Sequence, residues 1–516
     1  MRIGFALTSF ALVSVALIAR VAADDYAPTM MTAAQILAKA DTAAGNLVPG
    51  QYLVVKRSGS GANASTQMTQ INGADFVTIV QDGPFTQSYG SYHGQRWYRD
   101  ANGTVVREIG FHETSDPDAL AWSHPDDPLY RVRVLGMTQT PPLEYVLDAN
   151  PPGGEDEYRY YDARTFSFAR DVLFASDRNR YEIEYSQYRS IFGETIPFRE
   201  HDSDGNPSDD EDMQTVSFAR VASQNPLTIP DSQPLFSLRS TPVTLPVSFT
   251  DDGTCCPEIV VHTTIGGQQV DFTLDSGASG LYIDTNAVRR LGLTTHGQGS
   301  ATIGGTFSYS QTIVPEMSVG GIQMHNVAFT VSPMPEGSRT VGLLGCDFLA
   351  SAVVGIDLKN AKVTLIPWAS FNAAALGVQA MPIEMDDCVP RVAASFENVP
   401  GAFLLDTGDF ATMLYPHYVA KLPRAGVAST GETADTQFGA GTLFSAVGGS
   451  VHSKFYDVSN FIFGGIQYRV GQVIVPDRTS TFQDPDYDGI IGRNVLKEYV
   501  FYLDYNDDLM FIKPNV

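Results

Sequence analysis

Several features on which common protein classes depend are scarce or absent in this sequence. Its 58 Asp and Glu residues outnumber 33 Lys and Arg, and the resulting net charge of −25 disfavours nucleic acid as a partner. The four Cys and nine His residues form neither a Cys-x-x-Cys pair nor a His-Glu-x-x-His motif, so the patterns of common zinc sites are missing. Gly-x-Ser-x-Gly and phosphate-binding Walker motifs are absent as well. We therefore expect no metal and no cofactor.

Long apolar runs are also rare, and the clearest one lies at the N-terminus. Arg2 is followed by an apolar stretch from Ile3 to Ala19 and then by the small residues of Val21–Ala23, which is the pattern of an export signal. We interpret residues 1–23 as a cleaved signal peptide and expect a periplasmic or secreted protein. A retained membrane anchor is the alternative, although the run is short for a membrane span. No later stretch is long enough for a membrane helix, so membrane contact is expected only through an uncleaved signal.

The texture of the sequence changes along the chain, whose 516 residues exceed what one hydrophobic core normally serves. Residues 24–224 contain short alternating stretches such as Gln51–Lys56 and Tyr181–Tyr185, separated by turn residues, which predicts an antiparallel sheet. Within this β-rich domain only residues 31–43 have a helical pattern. Residues 225–240 are interpreted as a linker because their prolines interrupt a regular strand ladder.

An internal repeat organises the remainder of the chain. The segment Gly345–Pro367 aligns without gaps on Gly492–Pro514, at an offset of 492 − 345 = 147 residues. Repeats of this size, only two in number, predict a fused pair of similar lobes instead of a solenoid. We place the two lobes at residues 241–370 and 371–516.

Each copy of the repeat carries the same pair of short motifs. An apolar strand ends in Asp275-Ser276-Gly277 in the first copy and in Asp406-Thr407-Gly408 in the second. Each triplet is answered further along by an apolar-apolar-Gly element, Leu343-Leu344-Gly345 or Ile490-Ile491-Gly492. One triplet alone would indicate only a turn, but the same order of elements twice over is hard to obtain by chance.

These motifs carry a family resemblance. Residues 241–516 resemble the pepsin and retropepsin superfamily of aspartic proteases, and Gly342–Leu349 and Gly489–Leu496 are most similar to the retroviral and bacterial retropepsin-like form. The resemblance implies a bilobal aspartic-protease β-barrel fold for this part of the chain. Together with the alternating pattern of the preceding residues, the expectation is a mainly β protein in which this fold is preceded by an antiparallel β-sheet domain with an N-terminal helix. Because the lobes are fused in tandem, pairing within one chain is favoured and a monomer is expected.

The resemblance also implies the chemistry. Asp275 and Asp406 would form one catalytic dyad, because two adjacent carboxyl groups hold one proton between them and can act as base and acid. The ionised carboxylate would activate a water that attacks a peptide carbonyl of a polypeptide substrate. The other members of the predicted site support the catalytic loops or form the apolar-Gly elements: Ser276, Gly277, Thr407, Gly408, Leu344, Gly345, Ile491 and Gly492.

A mobile flap is a further expectation from the family. Residues 297–311 form the candidate hairpin, since their glycines permit mobility and aromatic side chains lie near the tip. The predicted flap residues are Gly304, Gly305, Phe307 and Tyr309.

The four cysteines are interpreted from the pseudo-symmetry of the repeat. Cys255 and Cys256 precede the first strand of one lobe, and Cys388 precedes the comparable strand of the other. We expect a disulfide from Cys256 to Cys388, with Cys255 as the alternative partner. Cys346 is then expected to be a buried free thiol.

Two positions depart from the pepsin pattern. Ala278 and Asp409 stand three residues after the predicted catalytic aspartates, where pepsin-like enzymes commonly have a hydroxyl that hydrogen-bonds the carboxylate. Losing that donor and adding a nearby acid should both raise the apparent pKa values of the dyad. We therefore predict activity at less acidic pH than that of a digestive pepsin.

A non-catalytic binding protein is the alternative to an exported aspartic endopeptidase. The texture of residues 24–224 is similar to the half-barrel of periplasmic lipoprotein carriers, although no residue-level motif supports that similarity. On this view the protease-like lobes are inactive and the chain holds a peptide or a lipid. Both Asp-Ser/Thr-Gly triplets are complete, and this favours the enzyme.

Overall fold

The structure is a computed structural model, and the chain divides into two compact units. The first comprises Met1–Trp97 and Gly110–Ile229, and the second comprises Tyr98–Ile109 and Pro230–Val516. Both are built mainly from β strands, which confirms the predicted fold class. The structure describes residues 26–59, 65–107, 121–151, 156–174, 180–203, 210–221, 227–250, 258–302, 306–334, 338–423, 427–433, 444–446, 449–451, 453–458, 460–468, 472–476 and 487–515.

The first unit contains a long antiparallel sheet. In spatial order its strands are β4-β3-β2-β1-β15-β14-β11-β10-β9-β8-β7, and all neighbours pair antiparallel. The strands up to residue 221, of which β6 and the end of β5 belong to the second unit, are β1 (Gln51–Ser58), β2 (Ser65–Asn72), β3 (Asp75–Asp82), β4 (Phe85–Tyr92), β5 (Gln95–Arg99), β6 (Val105–Arg107), β7 (Arg133–Met137), β8 (Glu144–Ala149), β9 (Asp156–Asp162), β10 (Phe168–Phe174), β11 (Arg180–Ser186), β12 (Arg189–Ile191), β13 (Glu194–Ile196), β14 (Arg199–Ser203) and β15 (Glu211–Val221).

One helix, α1 (Ala33–Ala44), packs within the first unit. It begins at Thr32, whose side chain accepts from the Gln35 N–H while the Gln35 side chain accepts from the Thr32 N–H, so two otherwise unpaired donors are satisfied. Ile36 and Ala40 lie four residues apart on its buried face. The sequence expectation of a helix at 31–43 is thereby confirmed within two residues.

The sheet of the first unit also buries charge. Lys56 on β1 and Glu200 on β14 form an ion pair of 2.6 Å, and their side chains are only 9% and 12% exposed. Such a pair costs solvation when it is buried, but leaving either partner alone costs more.

The second unit contains the two copies of the repeat. Its remaining strands are β16 (Val243–Thr244), β17 (Val247–Thr250), β18 (Glu258–Ile265), β19 (Gln268–Leu274), β20 (Leu281–Asp284), β21 (Thr295–Thr302), β22 (Thr306–Val319), β23 (Ile322–Ser332), β24 (Gly342–Leu344), β25 (Val353–Asp357), β26 (Lys362–Ile366), β27 (Gln379–Pro382), β28 (Glu384–Asp386), β29 (Val389–Phe396), β30 (Val399–Leu405), β31 (Met413–Leu414), β32 (Val427–Thr433), β33 (Phe444–Ala446), β34 (Gly449–Val451), β35 (Ser453–Val458), β36 (Phe461–Phe463), β37 (Ile466–Tyr468), β38 (Gln472–Pro476), β39 (Gly489–Ile491), β40 (Tyr499–Asp504) and β41 (Leu509–Pro514). Its helices are α2 (Thr285–Leu291), α3 (Cys346–Leu349), α4 (Ala373–Leu376), α5 (Pro416–Val419) and α6 (Arg493–Leu496).

Three sheets account for the architecture of the second unit. One sheet has the order β17-β18-β19-β24-β20-β23-β22-β21 and lies wholly in the first copy. Another, of order β32-β35-β38-β31-β39-β30-β29-β36-β37 with β28 beside β29, lies in the second copy. The third sheet, β16-β26-β25-β40-β41-β27, takes strands from both copies and joins them.

The repeat seen in the sequence folds twice into the same shape. In each copy a short helix, α3 or α6, is followed by an antiparallel hairpin, β25–β26 or β40–β41. The two hairpins meet through β25 and β40, with Val354 opposite Leu503. A continuous apolar core that includes Phe272, Phe403 and Phe501, each fully buried, runs through both copies.

The segment Tyr98–Ile109 differs from its predicted place. The sequence assigned it to the β-rich domain at 24–224, whereas in the structure it belongs to the second unit. The physical reason is packing, because Val106 is 8% exposed and is a member of the apolar core of the second unit. Among the described residues, no helix has both the length and the apolar character needed to cross a membrane.

Candidate active site

The two Asp-Ser/Thr-Gly triplets stand at equivalent places in the two copies. β19 runs parallel to β24 and β30 runs parallel to β39, so each triplet emerges beside its apolar-Gly element. The Asp275 N–H donates to the Leu344 carbonyl at 3.1 Å, and the Asp406 N–H donates to the Ile491 carbonyl at 3.0 Å. Leu344 and Ile491 are fully buried, which fixes both aspartates at the ends of core strands.

The glycines of the apolar-Gly elements permit a close backbone approach. A Cβ on Gly345 would lie 2.3 Å from the carbonyl oxygens of Ala278 and Gly280. A Cβ on Gly492 would lie 2.4 Å from the carbonyl oxygen of Ala411. No side chain fits at such distances, so glycine at both positions is a packing requirement.

Ser276 and Thr407 lock the two triplets together. The Ser276 N–H donates to Thr407 Oγ1 and the Thr407 N–H donates to Ser276 Oγ, both at 2.9 Å. The Ser276 hydroxyl also donates to the Leu405 carbonyl at 2.6 Å, and the Thr407 hydroxyl donates to the Leu274 carbonyl at 2.9 Å. Both side chains are fully buried, so this reciprocal network holds the two loops in register.

The carboxyl groups of Asp275 and Asp406 face each other across this network. A Cβ on Gly277 would lie 2.5 Å from the Asp406 carboxyl, and a Cβ on Gly408 would lie 2.5 Å from that of Asp275. The Gly277 N–H donates to Asp275 Oδ1 at 2.8 Å, and the Gly408 N–H donates to Asp406 Oδ1 at 2.7 Å. The structure therefore brings together all the residues predicted for the catalytic loops and the apolar-Gly elements.

Burial and the neighbouring carboxyl group of Asp406 change the acidity of Asp275. Burial raises the pKa of Asp275 well above its usual range, and the charge of Asp406 and a hydrogen bond with it raise it further. The Gly277 N–H and the Arg493 guanidinium act in the opposite direction on this pKa. A pair of this kind retains one proton under conditions in which isolated aspartates are ionised.

A third carboxyl group, that of Asp409, belongs to the same cluster. Burial and the charge of Asp406 raise the pKa of Asp409 to about 7. Its own backbone N–H donates to Asp406 Oδ1 at 2.9 Å, and its Oδ1 accepts from the Ala411 N–H at 3.1 Å. The position that departs from the pepsin pattern is therefore in direct contact with the second triplet.

Arg493 supports the second triplet and was not singled out from the sequence. Its side chain is buried, and its Nη1 donates to the Thr407 carbonyl at 2.9 Å and to the Gly408 carbonyl. The signal that could have revealed it is an asymmetry in the repeat, because Arg493 aligns with Cys346. A buried cation in place of a cysteine indicates a local role.

Tyr505 is a second residue that the sequence did not indicate. Its hydroxyl is buried without a hydrogen-bond partner in the described part of the chain. Burial raises the pKa of Tyr505, and the charges of Asp275 and Asp406 raise it further.

The predicted flap falls partly outside the described residues. Phe307 and Tyr309 lie on β22, which pairs with β21 in an antiparallel hairpin, with Tyr309 opposite Gly299. Gly304 and Gly305 are outside the described residues. The hairpin exists as expected, while its role as a flap stays a prediction.

The predicted disulfide between Cys256 and Cys388 is wrong, and so is the expectation of a free thiol at Cys346. Cys388 is bonded to Cys346, with 5.7 Å between their Cα atoms. The turn between β28 and β29 brings Cys388 against the start of α3, a contact that pseudo-symmetry does not reveal. Cys255 and Cys256 are outside the described residues.

Comparison with known proteins agrees with this geometry. The family model described as aspartyl protease matches residues 261–348, a range that contains the first triplet and the first apolar-Gly element. The resemblance to aspartic proteases is confirmed. The match supports a protease function, and a protease of this family would bind a polypeptide substrate. Within the described residues, no three His, Cys, Asp or Glu side chains are grouped so that they could hold a metal ion.

Two solved structures are similar to this chain at low identity. An aspartic proteinase from Irpex lacteus is 12% identical, with 53% of this chain and 97% of that chain covered and a TM-score of 0.36. The LolA superfamily protein NE2245 from Nitrosomonas europaea is 13% identical, with 39% of this chain and 98% of that chain covered and a TM-score of 0.28. No curated protein sequence matches the chain.

Proposed function

We propose that this protein is an exported aspartic endopeptidase in which Asp275 and Asp406 form one catalytic dyad. The observation that supports it is the reciprocal hydrogen bonding of Ser276 and Thr407, which sets two carboxyl groups face to face. Facing carboxyl groups that share a proton supply a base and an acid at one point.

The proposed reaction needs only these two groups and water. The carboxylate of the dyad takes a proton from a water molecule as the water oxygen bonds to the carbonyl carbon of the scissile peptide. The protonated carboxyl donates its proton to the carbonyl oxygen, which gives a tetrahedral intermediate. Collapse of this intermediate breaks the C–N bond. The amine nitrogen takes a proton from one carboxyl group of the dyad, and a hydroxyl of the intermediate gives its proton to the other, which restores the singly protonated dyad.

Export is proposed from the sequence of residues 1–23 alone. The mature chain would begin near Asp24, in the periplasm or outside the cell. Mass spectrometry of the protein recovered from fractionated cells tests this part, since a chain that retains residues 1–23 in the cytoplasmic fraction would contradict it.

The catalytic proposal is tested by cleavage of an unfolded protein substrate across a pH series. The purified chain is compared with Asp275→Asn, Asp406→Asn and the control Asp457→Asn, which alters an exposed aspartate of the same unit. Loss of cleavage in the first two variants only, together with inhibition by a statine-type transition-state analogue, is the expected result. A folded wild type that cleaves nothing at any pH would favour a peptide- or lipid-binding protein instead.

A further inference from the structure

The segment 98–107 is held in the second unit at several points. Gly103 accepts a backbone hydrogen bond from Gln233 at 2.8 Å, and the Val105 N–H donates to Ser232 Oγ at 3.0 Å. Val106 is part of the apolar core of that unit. The chain enters and leaves this segment from the first unit, which ends at Trp97 and resumes at Gly110.

The side-chain amide of Asn102 pairs with the backbone of β23 in the first copy of the repeat. Its Oδ1 accepts from the Ala328 N–H at 2.8 Å, and its Nδ2 donates to the Ala328 carbonyl at 3.0 Å. The same Nδ2 also donates to Asp347 Oδ2 at 3.1 Å. A single side chain thus connects β23 to α3.

In the second copy of the repeat, the residue equivalent to Asp347 is held by contacts within its own lobe. The residue aligned with Asp347 is Asn494, since 347 + 147 = 494. Asn494 Oδ1 accepts from the N–H and the hydroxyl of Thr412, at 2.8 and 2.7 Å, so its contacts come from its own lobe. Asp347 Oδ2 instead accepts from Asn102, which lies 245 positions away in the sequence.

Asp100 places a second carboxyl group beside Asp347. Its Oδ1 accepts from the Thr104 N–H at 2.7 Å, and its carboxyl group is close enough to that of Asp347 for the two charges to repel each other. Asp347 is 2% exposed, and its Oδ1 has no N–H or O–H donor among the described residues. Two carboxyl groups can be hydrogen-bonded only if one of them carries a proton, and a proton shared with Asp100 would supply the missing donor.

The surroundings of Asp100 favour its protonated form. Burial raises the pKa of Asp100 well above its usual range, and the charge of Asp347 raises it further. Tyr98, Tyr282 of β20 and Asp387 of the β28–β29 turn also lie within electrostatic range of groups in this cluster, and none of the three carries a positive charge. The segment itself contains two cations, Arg99 and Arg107. The charge of Arg107 acts to lower the pKa of Asp508.

Asp347 is coupled to the first Asp-Ser-Gly triplet by short backbone contacts. It is the second residue of α3, whose first N–H, that of Cys346, donates to the Ala278 carbonyl at 3.0 Å. The carbonyl of Leu344, the last residue of β24, accepts from the Asp275 N–H. Because Gly345 leaves no space between these backbones, a shift of α3 must move the Asp275 loop.

We propose that residues 98–107 are a permanent clamp on the first lobe, in which Asn102 and the proton-sharing pair Asp100–Asp347 are positioning residues for the Asp275 loop, and that the clamp loosens as pH rises. This inference rests on the proposed protease function for its catalytic consequence. The β-rich domain is then not a removable pro-segment, because cutting the chain at residues 222–226 leaves the clamp in place.

The first test measures apparent Tm from pH 4 to pH 8 for the full chain, Asp100→Asn and the control Asp457→Asn. A carboxyl whose pKa is raised by folding stabilises the protein at low pH and loses this contribution as pH rises. The amide mimics the protonated carboxyl at every pH. The Tm of Asp100→Asn minus that of the wild type should therefore increase by about 2 °C or more from pH 4 to pH 8. A Tm difference that does not change with pH would overturn the proposal.

The second test separates the clamp from the chemistry. Asn102→Ala should lower kcat by about tenfold to a hundredfold while KM changes little, and Asp100→Asn should extend the alkaline limb of the pH profile. Unchanged kcat in Asn102→Ala would refute the positioning role. If the folded wild type shows no cleavage at all, the protease proposal fails, whereas the Tm measurement still decides the existence of the shared proton.

A nicked chain provides a measurement that does not depend on a substitution in the clamp. A specific protease site is placed between Val221 and Leu227, and the full chain is folded before it is cut. The two fragments should co-elute at pH 5 and dissociate more readily at pH 8. Complete separation at both pH values, with cleavage activity retained by the C-terminal fragment, would show that the clamp is dispensable.

Discussion

Replacement of Asp409 by Asn tests the electrostatics of the candidate site most directly. Folding raises the pKa of Asp409 from its ordinary value of 3.8 to about 7. The sign follows from linkage: a carboxyl with a raised folded pKa stabilises the protein fully below about pH 4, and this contribution is lost as pH rises to about 7. The amide keeps the acceptor for the Ala411 N–H but removes the titration.

The magnitude follows from the size of the pKa shift. About three units at about 1.4 kcal/mol each give an upper bound of about 4 kcal/mol at pH 8. The true value should be smaller because Asp409 is partly exposed to solvent and because its titration depends on the charge of Asp406. Between pH 4 and pH 8 the free energy of unfolding of the wild type should therefore fall more steeply than that of the variant.

The assay is urea unfolding at each pH, with Asp457→Asn as the matched control for loss of an exposed charge. A difference between variant and wild type that grows from pH 4 to pH 8 is the expected result, and a constant difference would refute the reasoning. Cleavage assays add a second readout. The negative charge of Asp409 disfavours ionisation of the neighbouring dyad. Asp409→Asn removes this charge and should therefore move the alkaline limb of the kcat/KM profile to lower pH.

Three further substitutions test the contacts that hold the fold and the loops together. Thr407→Ala leaves the buried Ser276 N–H without its acceptor and should cost about 1–3 kcal/mol of stability and most of the activity, whereas Thr407→Ser should restore both. Cys388→Ser removes the cross-link to Cys346, which spans 42 residues of sequence, and should lower the free energy of unfolding by about 4 kcal/mol relative to the oxidised protein. Lys56→Met leaves a buried carboxylate unpaired in the first unit and should cost about 3–5 kcal/mol in urea unfolding at pH 7, while an unchanged midpoint would show that the ion pair is not buried in solution.

The parts of the site that the sequence predicted are those with a local pattern. Asp275 and Asp406 each end an apolar strand, and their glycines satisfy steric demands that are written in adjacent residues. The repeat at an offset of 147 residues related the two copies, so one motif located the other. Period-two alternation likewise predicted the antiparallel sheet of the first unit.

The parts that could not be predicted depend on contacts between distant residues. Asn102 meets Ala328 across 226 positions, and nothing near Asn102 in the sequence distinguishes it from an ordinary turn residue. Pseudo-symmetry predicts the wrong partner for Cys388 because it describes only what the two copies share. The disulfide joins α3 of one copy to a turn of the other. Contacts that break the symmetry of a repeat leave no trace in the pattern that reveals it.

The same asymmetry bears on the roles within the proposed dyad. Asp406 Oδ1 accepts two backbone N–H groups, those of Gly408 and Asp409, whereas Asp275 Oδ1 accepts that of Gly277. N–H donors stabilise the ionised form of a carboxyl group, so the negative charge is better accommodated on Asp406. The raised pKa of Asp275 is consistent with this member holding the shared proton. The motifs of the two copies are equivalent, but their supports are not, and the geometry therefore favours Asp406 as the base and Asp275 as the acid in the first step.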